Sequence, residues 1–157
     1  MRATAVLPIK RFAAAKSRLG DALAAEERRV LALAMAEDVL EALEDAERFD
    51  DVIVVTGEPA AAELAERRGL IRVDDRDDAG HSQAAAAGVR VALNSGAAAV
   101  ALLPGDCPLI DAGELDLAIS AMRRGTVGVV PDRDGSGTNG LLLCPPDAIE
   151  PSFGPDS

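Results

Sequence analysis

An α/β fold, with a mostly parallel sheet covered by helices on both faces, is predicted by three observations. Short β-branched runs alternate with longer segments rich in Ala, Leu, Glu and Arg. Strands interleaved with helices pair in parallel and bury both faces of the sheet. The chain has 157 residues, 48% of them hydrophobic and 27% charged, which suits one folded domain with a real core.

The elements follow in chain order. Thr4–Ile9 reads as the first strand. Ala25–Asp45 reads as a long amphipathic helix: at about 100° per residue, Glu26, Glu27, Glu37, Asp38, Glu41, Glu44 and Asp45 share one face. Leu31, Leu33, Met35, Val39, Leu40 and Leu43 cover the other, so the acidic stripe is solvated surface. Val52–Thr56 is a β-branched strand, Pro59–Arg68 a helix, and Ile71–Val73 a short strand. Gln83–Leu93 is a helix and Ala99–Leu103 a strand. Asp111–Met122 is a helix whose opening, Asp111-Ala-Gly-Glu114, has the spacing of a capping box. Val127–Val130 and Gly140–Cys144 complete the strands. No repeat, low-complexity linker or second boundary interrupts this order, so residues 1–157 are expected to form a single domain.

Charge and cysteine content narrow the function classes. A net charge of −11 argues against nucleic acid and anionic membrane surfaces, whose binders gather Lys and Arg. No apolar run of about 18 residues suggests a membrane span. The N-terminal apolar stretch is too short for a signal peptide, and "KRFAAAKSR" follows a strand, which argues against a transit segment. Cys107 and Cys144 lack metal or redox spacing and are expected to be reduced core thiols of a cytoplasmic protein. Aromatic residues make up 2% of the chain, which offers no stacking platform for bases.

In an open α/β sheet, ligands bind beyond the carboxyl ends of the strands, so the loops there carry the candidates. After the first strand, Lys10, Arg11, Lys16 and Arg18 fall within nine positions. Such a concentration in an acidic chain suits a polyphosphate, the alternative being a solvated loop; the spacing is not that of a P-loop. After Ala99–Leu103, "LLPGDCPLID" releases one carboxylate, Asp106. Its type and place suit a Mg²⁺ ligand, since magnesium takes one or two carboxylates plus phosphates and water; a turn-forming Asp is the alternative. Asp111 suits a helix cap better than a metal. Gly135-Ser-Gly137-Thr-Asn-Gly140 matches the G-x-G-x-x-G fingerprint, but a strand follows where that fingerprint needs a helix. Its glycines would still let amides approach an anion. His81, the lone histidine, has no nucleophilic partner and is expected on ordinary surface.

Four stretches taken together, "VLPIKRFAAAKSRL", "LLPGDCPL", "VVPDRDGSGTNGLLL" and "FGPDS", resemble in that order the guanylyltransferase family of coenzyme F420 biosynthesis. Its members are 2-phospho-L-lactate guanylyltransferase in archaea and phosphoenolpyruvate guanylyltransferase in many bacteria. The resemblance spans Val6 to Ser157. It implies a nucleotidyltransferase fold of the GT-A-like, Rossmann-like kind, with GTP, Mg²⁺ and a phosphorylated three-carbon acid as cofactor and substrates. It implies that Asp106 binds the metal and that Thr138, Gly154 and Ser157 contact the acceptor. It puts Lys10, Lys16, Ser17 and Arg18 near the nucleotide, with Lys16 and Asp106 as the catalytic pair. Two departures stand out. Relatives show a Leu-Asn pair where this chain has "GHSQAAAAG", in which Gln83 keeps an amide for the nucleotide. Relatives also continue past F-G-P-x-S into a helix and a strand with a second acidic metal ligand, so this chain is expected to be C-terminally incomplete.

The implied reaction needs no general base. An acceptor phosphate monoester has a second pKa near 6 and is mostly dianionic at neutral pH. Catalysis then rests on aligning two anions and neutralising them. The expected activity is transfer of GMP from GTP to phosphoenolpyruvate, 2-phospho-L-lactate or 3-phosphoglycerate, with phosphoenolpyruvate favoured by the bacterial composition. The alternatives are a non-catalytic GTP and phospho-acid binding domain, or a related transferase acting on a sugar phosphate or molybdopterin. The oligomeric state stays open, a homodimer included.

Overall fold

The computed structural model describes residues 1–14, 20, 22–77 and 80–153. Six strands form one sheet: β1 (Ala3–Ile9), β2 (Asp51–Thr56), β3 (Ile71–Asp74), β4 (Ala99–Leu102), β5 (Thr126–Pro131) and β6 (Thr138–Cys144). The helices are α1 (Ala25–Asp45), α2 (Pro59–Arg67), α3 (His81–Asn94) and α4 (Ala112–Ala121), with a 3-10 turn at Phe12–Ala14. Every expected strand and helix is present; the 3-10 turn is an addition.

Strand order is β3-β2-β1-β4-β6-β5. The pairs β1–β2, β1–β4 and β2–β3 are parallel, whereas β6 runs antiparallel to both β4 and β5. The carboxyl ends of β1 to β5 and the start of β6 therefore share one rim. That topology, more than any single contact, decides which loops can meet.

The core divides across the sheet. On one face Leu7, Val54 and Leu142 pack with Val39, Leu40 and Leu43 of α1, Leu64 of α2 and Ile119 of α4. On the other, Val6, Val55 and Leu143 pack with Ala84, Ala85, Val89 and Ala92 of α3. Alternate residues of β1 thus serve opposite faces, and all seven are buried. α3 lies very close to the sheet: a Cβ on Gly88 would stand 2.3 Å from Val6 Cγ1 and 3.0 Å from Val55 Cγ2. The Ala-rich run before it is therefore a packing surface as well as a helix former.

On α1, Val39, Leu40 and Leu43 are buried as expected, with Leu33 packed against them, while Leu31 and Met35 are only half-buried. Of the acidic stripe, Glu37 is half-buried and the other six carboxylates are exposed. At α4 the Asp111 carboxylate accepts from the Glu114 amide at 3.0 Å, which makes Asp111 a helix cap. Cys144 lies in the core, but Cys107 is only half-buried in the loop after β4, so it is not the core thiol expected. Among the described residues, no helix is long and apolar enough to cross a membrane.

Candidate active site

The rim places Lys10, Asp106, Thr138 and Gln83 in adjoining cavities. Lys10, Arg11, Phe12, His81 and Asp106 line a cavity of about 240 Å³ at the ends of β1 and β4. This is below the size that encloses a whole drug-like ligand. Close packing brings its two walls together: a Cβ on Gly105 would stand 2.9 Å from Ile9 Cγ1. The glycine before Asp106 thus lets the β4 loop lie directly on the end of β1, next to Lys10. Asp106, Lys10 and Arg11 are exposed, as groups meant for a charged ligand would be.

Thr138, half-buried at the start of β6, lines a narrow neighbouring cleft with His81, Pro104 and Phe153. Gln83 faces a third, wider cavity of about 540 Å³, shared with Ser82, Glu150 and Phe153. His81 borders all three spaces. The predicted Lys16, Ser17, Arg18, Gly154 and Ser157 lie outside the described residues.

His81 is therefore not the ordinary surface residue expected. α3 begins at His81 rather than Gln83, so the ring sits in the helix's first turn, half-buried. Gly80 caps that turn with φ of 119°, a conformation that favours glycine. The imidazole meets the Phe153 ring edge-on, with centroids 4.8 Å apart at 87°. Burial holds the histidine pKa below its ordinary value; the Lys10 charge adds to this and Asp106 opposes it.

Ser82 secures the same corner. Its Oγ accepts from the Phe153 amide at 2.9 Å and donates to the Phe153 carbonyl at 3.2 Å. This bond pair spans 71 residues and holds the segment that leads into "FGPDS" against α3. Neither His81 nor Ser82 stood out in the sequence, because the partner that defines them is remote.

The glycine-rich loop is a β5–β6 hairpin connection, which excludes a dinucleotide fingerprint. The expectation that its amides receive a substrate anion is corrected here, because the chain supplies the anion itself. The Asp132 carboxylate accepts from the Ser136 amide at 2.9 Å. A Cβ on Gly137 would stand 2.7 Å from Asp132 Oδ2, so a larger residue there would push the carboxylate from its place. Asp132 is held below the usual carboxylate value, chiefly by the Gly137 amide, with those of Ser136, Gly135 and Asp134 adding to it.

No group of three or more His, Cys, Asp or Glu side chains poised to hold a metal occurs among the described residues. Asp106 nevertheless fits a magnesium ion, which needs only one or two protein carboxylates when phosphates and water supply the rest.

A family model described as guanylyl transferase CofC like matches residues 3–157. A phosphoenolpyruvate guanylyltransferase from Conexibacter woesei is 47% identical, with the alignment covering 100% of this chain and 71% of the relative. Another, from Sphaerobacter thermophilus, is 40% identical over 100% of this chain and 75% of its own length. Among solved structures, a protein described as a nucleotide-diphospho-sugar transferase from Desulfovibrio desulfuricans superposes with a TM-score of 0.75 at 16% identity, covering 95% of this chain and 66% of that one. That likeness concerns the fold, which is the nucleotidyltransferase fold expected. With a model matched across nearly its whole length, the chain belongs to the guanylyl transferase family.

Proposed function

We propose that this guanylyltransferase moves GMP from GTP to phosphoenolpyruvate and releases pyrophosphate, a step of coenzyme F420 biosynthesis in the cytoplasm. The single observation that carries the reading is the meeting of Lys10 and Asp106 in one cavity, with Thr138 in the adjoining cleft. The acceptor follows from the relatives' shared activity and from the bacterial character of the sequence.

In this reaction an oxygen of the acceptor phosphate attacks the α-phosphorus of GTP. A new P–O–P linkage forms, the bond from the α-phosphorus to the bridging oxygen breaks, and pyrophosphate leaves with that electron pair. The nucleophile is already dianionic near neutral pH, so no residue has to remove a proton. His81 borders the cavities, and this reaction asks no proton transfer of it. Repulsion between the two anions is the main obstacle in a site partly shielded from water. Lys10 offsets it from the nucleotide side, joined by Lys16, Ser17 and Arg18 as the family resemblance implies. Thr138 receives the acceptor, with Gly154 and Ser157. Asp106 would hold Mg²⁺, which when bound supplies further neutralisation of phosphate charge.

The test is pyrophosphate release from GTP, Mg²⁺ and phosphoenolpyruvate, with the nucleotide product identified by mass spectrometry. Wild-type chain should form the guanylylated acid, and Asp106→Asn should lower the rate about a hundredfold or more. Transfer unaffected by that substitution refutes the metal assignment. GTP binding with no turnover would instead favour a ligand-binding role. Preference for a sugar phosphate over phosphoenolpyruvate would reassign the acceptor.

A further inference from the structure

We infer that Thr56 and Glu58 are positioning residues for the cationic turn that receives the nucleotide's phosphates. The inference rests on the reading that Lys10 holds GTP. It concerns a buried carboxylate that the reaction does not use. Glu58 is only 6% exposed and Thr56 only 1%.

Their bonds grip both ends of one turn. Thr56 Oγ1 donates to the Ile9 carbonyl at 2.7 Å, where β1 ends. Glu58 Oε2 accepts from the Phe12 amide at 2.9 Å, just past Lys10 and Arg11. The two clamps are themselves joined, since the Glu58 amide donates to Thr56 Oγ1 at 3.0 Å. Lys10 and Arg11 are thus the two residues bracketed between the gripped carbonyl and the gripped amide.

Three further features make the brace rigid. The Phe12 side chain is 4% exposed and anchors the turn in the core. Gly57, between the two brace residues, lies so close to the Asp75 carbonyl that a Cβ would stand 2.4 Å from its oxygen. Glu58 also caps α2, accepting from the Ala60 amide at 3.4 Å.

A cap alone does not explain Glu58. Ser, Thr, Asp and Asn are the preferred residues at that position. The longer Glu side chain reaches past the helix end to Phe12, and burying a carboxylate is costly unless its hydrogen bonds are made. That cost is consistent with a requirement for a fixed turn. Lys10 and Arg11 carry long side chains, and their main chain belongs to neither β1 nor the 3-10 turn that follows. Small misplacements of a binding group cost rate and affinity, so the brace sets where the charge is presented.

The experiment titrates GTP with Mg²⁺, and separately phosphoenolpyruvate, into the full chain by calorimetry, at a temperature where each variant is folded by circular dichroism. Thr56→Val keeps the shape but removes the hydroxyl, and Thr56→Ser restores it. Glu58→Gln keeps one acceptor oxygen. Thr56→Val should weaken GTP binding about tenfold while phosphoenolpyruvate binding changes less than about twofold. Thr56→Ser should recover the wild-type GTP affinity, and Glu58→Gln should fall between. A folded Thr56→Val with unchanged GTP affinity overturns the inference. So does an equal loss for both ligands, which would signify general loosening. If wild-type chain binds no GTP, the nucleotide reading fails first, and the inference with it.

Discussion

The centre of the sheet and its antiparallel edge differ in how much of them is hidden, and that difference separates what the chain must keep rigid from what it can leave open. β1, at the centre of the parallel half, is buried at all seven positions. β5, on the antiparallel edge, exposes Val127, Val129 and Val130 by 41%, 58% and 42%. Both strands end on the same rim. The parallel half meets that rim through bonds to a buried carboxylate and hydroxyl, which fix the turn bearing Lys10. The antiparallel half meets it through a surface hairpin that folds its glycines around its own Asp132.

Stability measurements would break this contrast most sharply. Leu7→Ala should cost about 3 kcal/mol, because the site is fully buried between sheet and helices and cannot collapse freely. Val129→Ala should stay within about 0.5 kcal/mol. Urea unfolding midpoints read both, and comparable losses would contradict the contrast.

A smaller effect sharpens it in the opposite direction. Thr4 on β1 is wholly buried, and its Oγ1 has no hydrogen-bond partner among the described residues. Thr4→Val removes that unsatisfied group at nearly constant shape, so stability should rise by about 1 kcal/mol. A fall in the unfolding midpoint would mean that the hydroxyl is satisfied in solution.

The smallest effect is local to the hairpin. Asp132→Ala should speed amide hydrogen exchange at Ser136 and Gly137 severalfold while leaving the global unfolding midpoint unchanged. The pH dependence has a definite sign. A carboxylate held below its ordinary value of 3.8 contributes fully above that value. Its contribution is lost as pH falls through the lowered native value. Protection of these amides should therefore persist in mild acid and disappear only in stronger acid.

The fold was legible because its signals are local. "VIVVT" is β-branched along its whole length, and α1 carries most of its carboxylates on one side with Val39, Leu40 and Leu43 buried on the other. The loops could then be ordered along the rim, which brings Lys10 and Asp106 forward as candidates, while Thr138's role comes from the family resemblance. What stayed hidden depends on distant partners. Glu58 sits in "TGEPA", a local pattern that carries no sign of its burial or of its bond to the Phe12 amide 46 positions away. His81 reads as ordinary surface in sequence because the helix pattern starts at Gln83, two residues after the observed start of α3. Its placement comes from Phe153, 72 positions away by number. The amides around Gly135 and Gly137 looked available until Asp132 closed on them.

The central claim is a division of labour along the rim, with the nucleotide's phosphates at the β1 turn and the acceptor at the start of β6. Steady-state kinetics of guanylyl transfer for Lys10→Ala and Thr138→Val tests it most directly. The account predicts that Lys10→Ala raises KM for GTP about tenfold or more and leaves KM for phosphoenolpyruvate near wild type, with the reverse for Thr138→Val. Both substitutions raising the same KM, or neither changing either one, would contradict it.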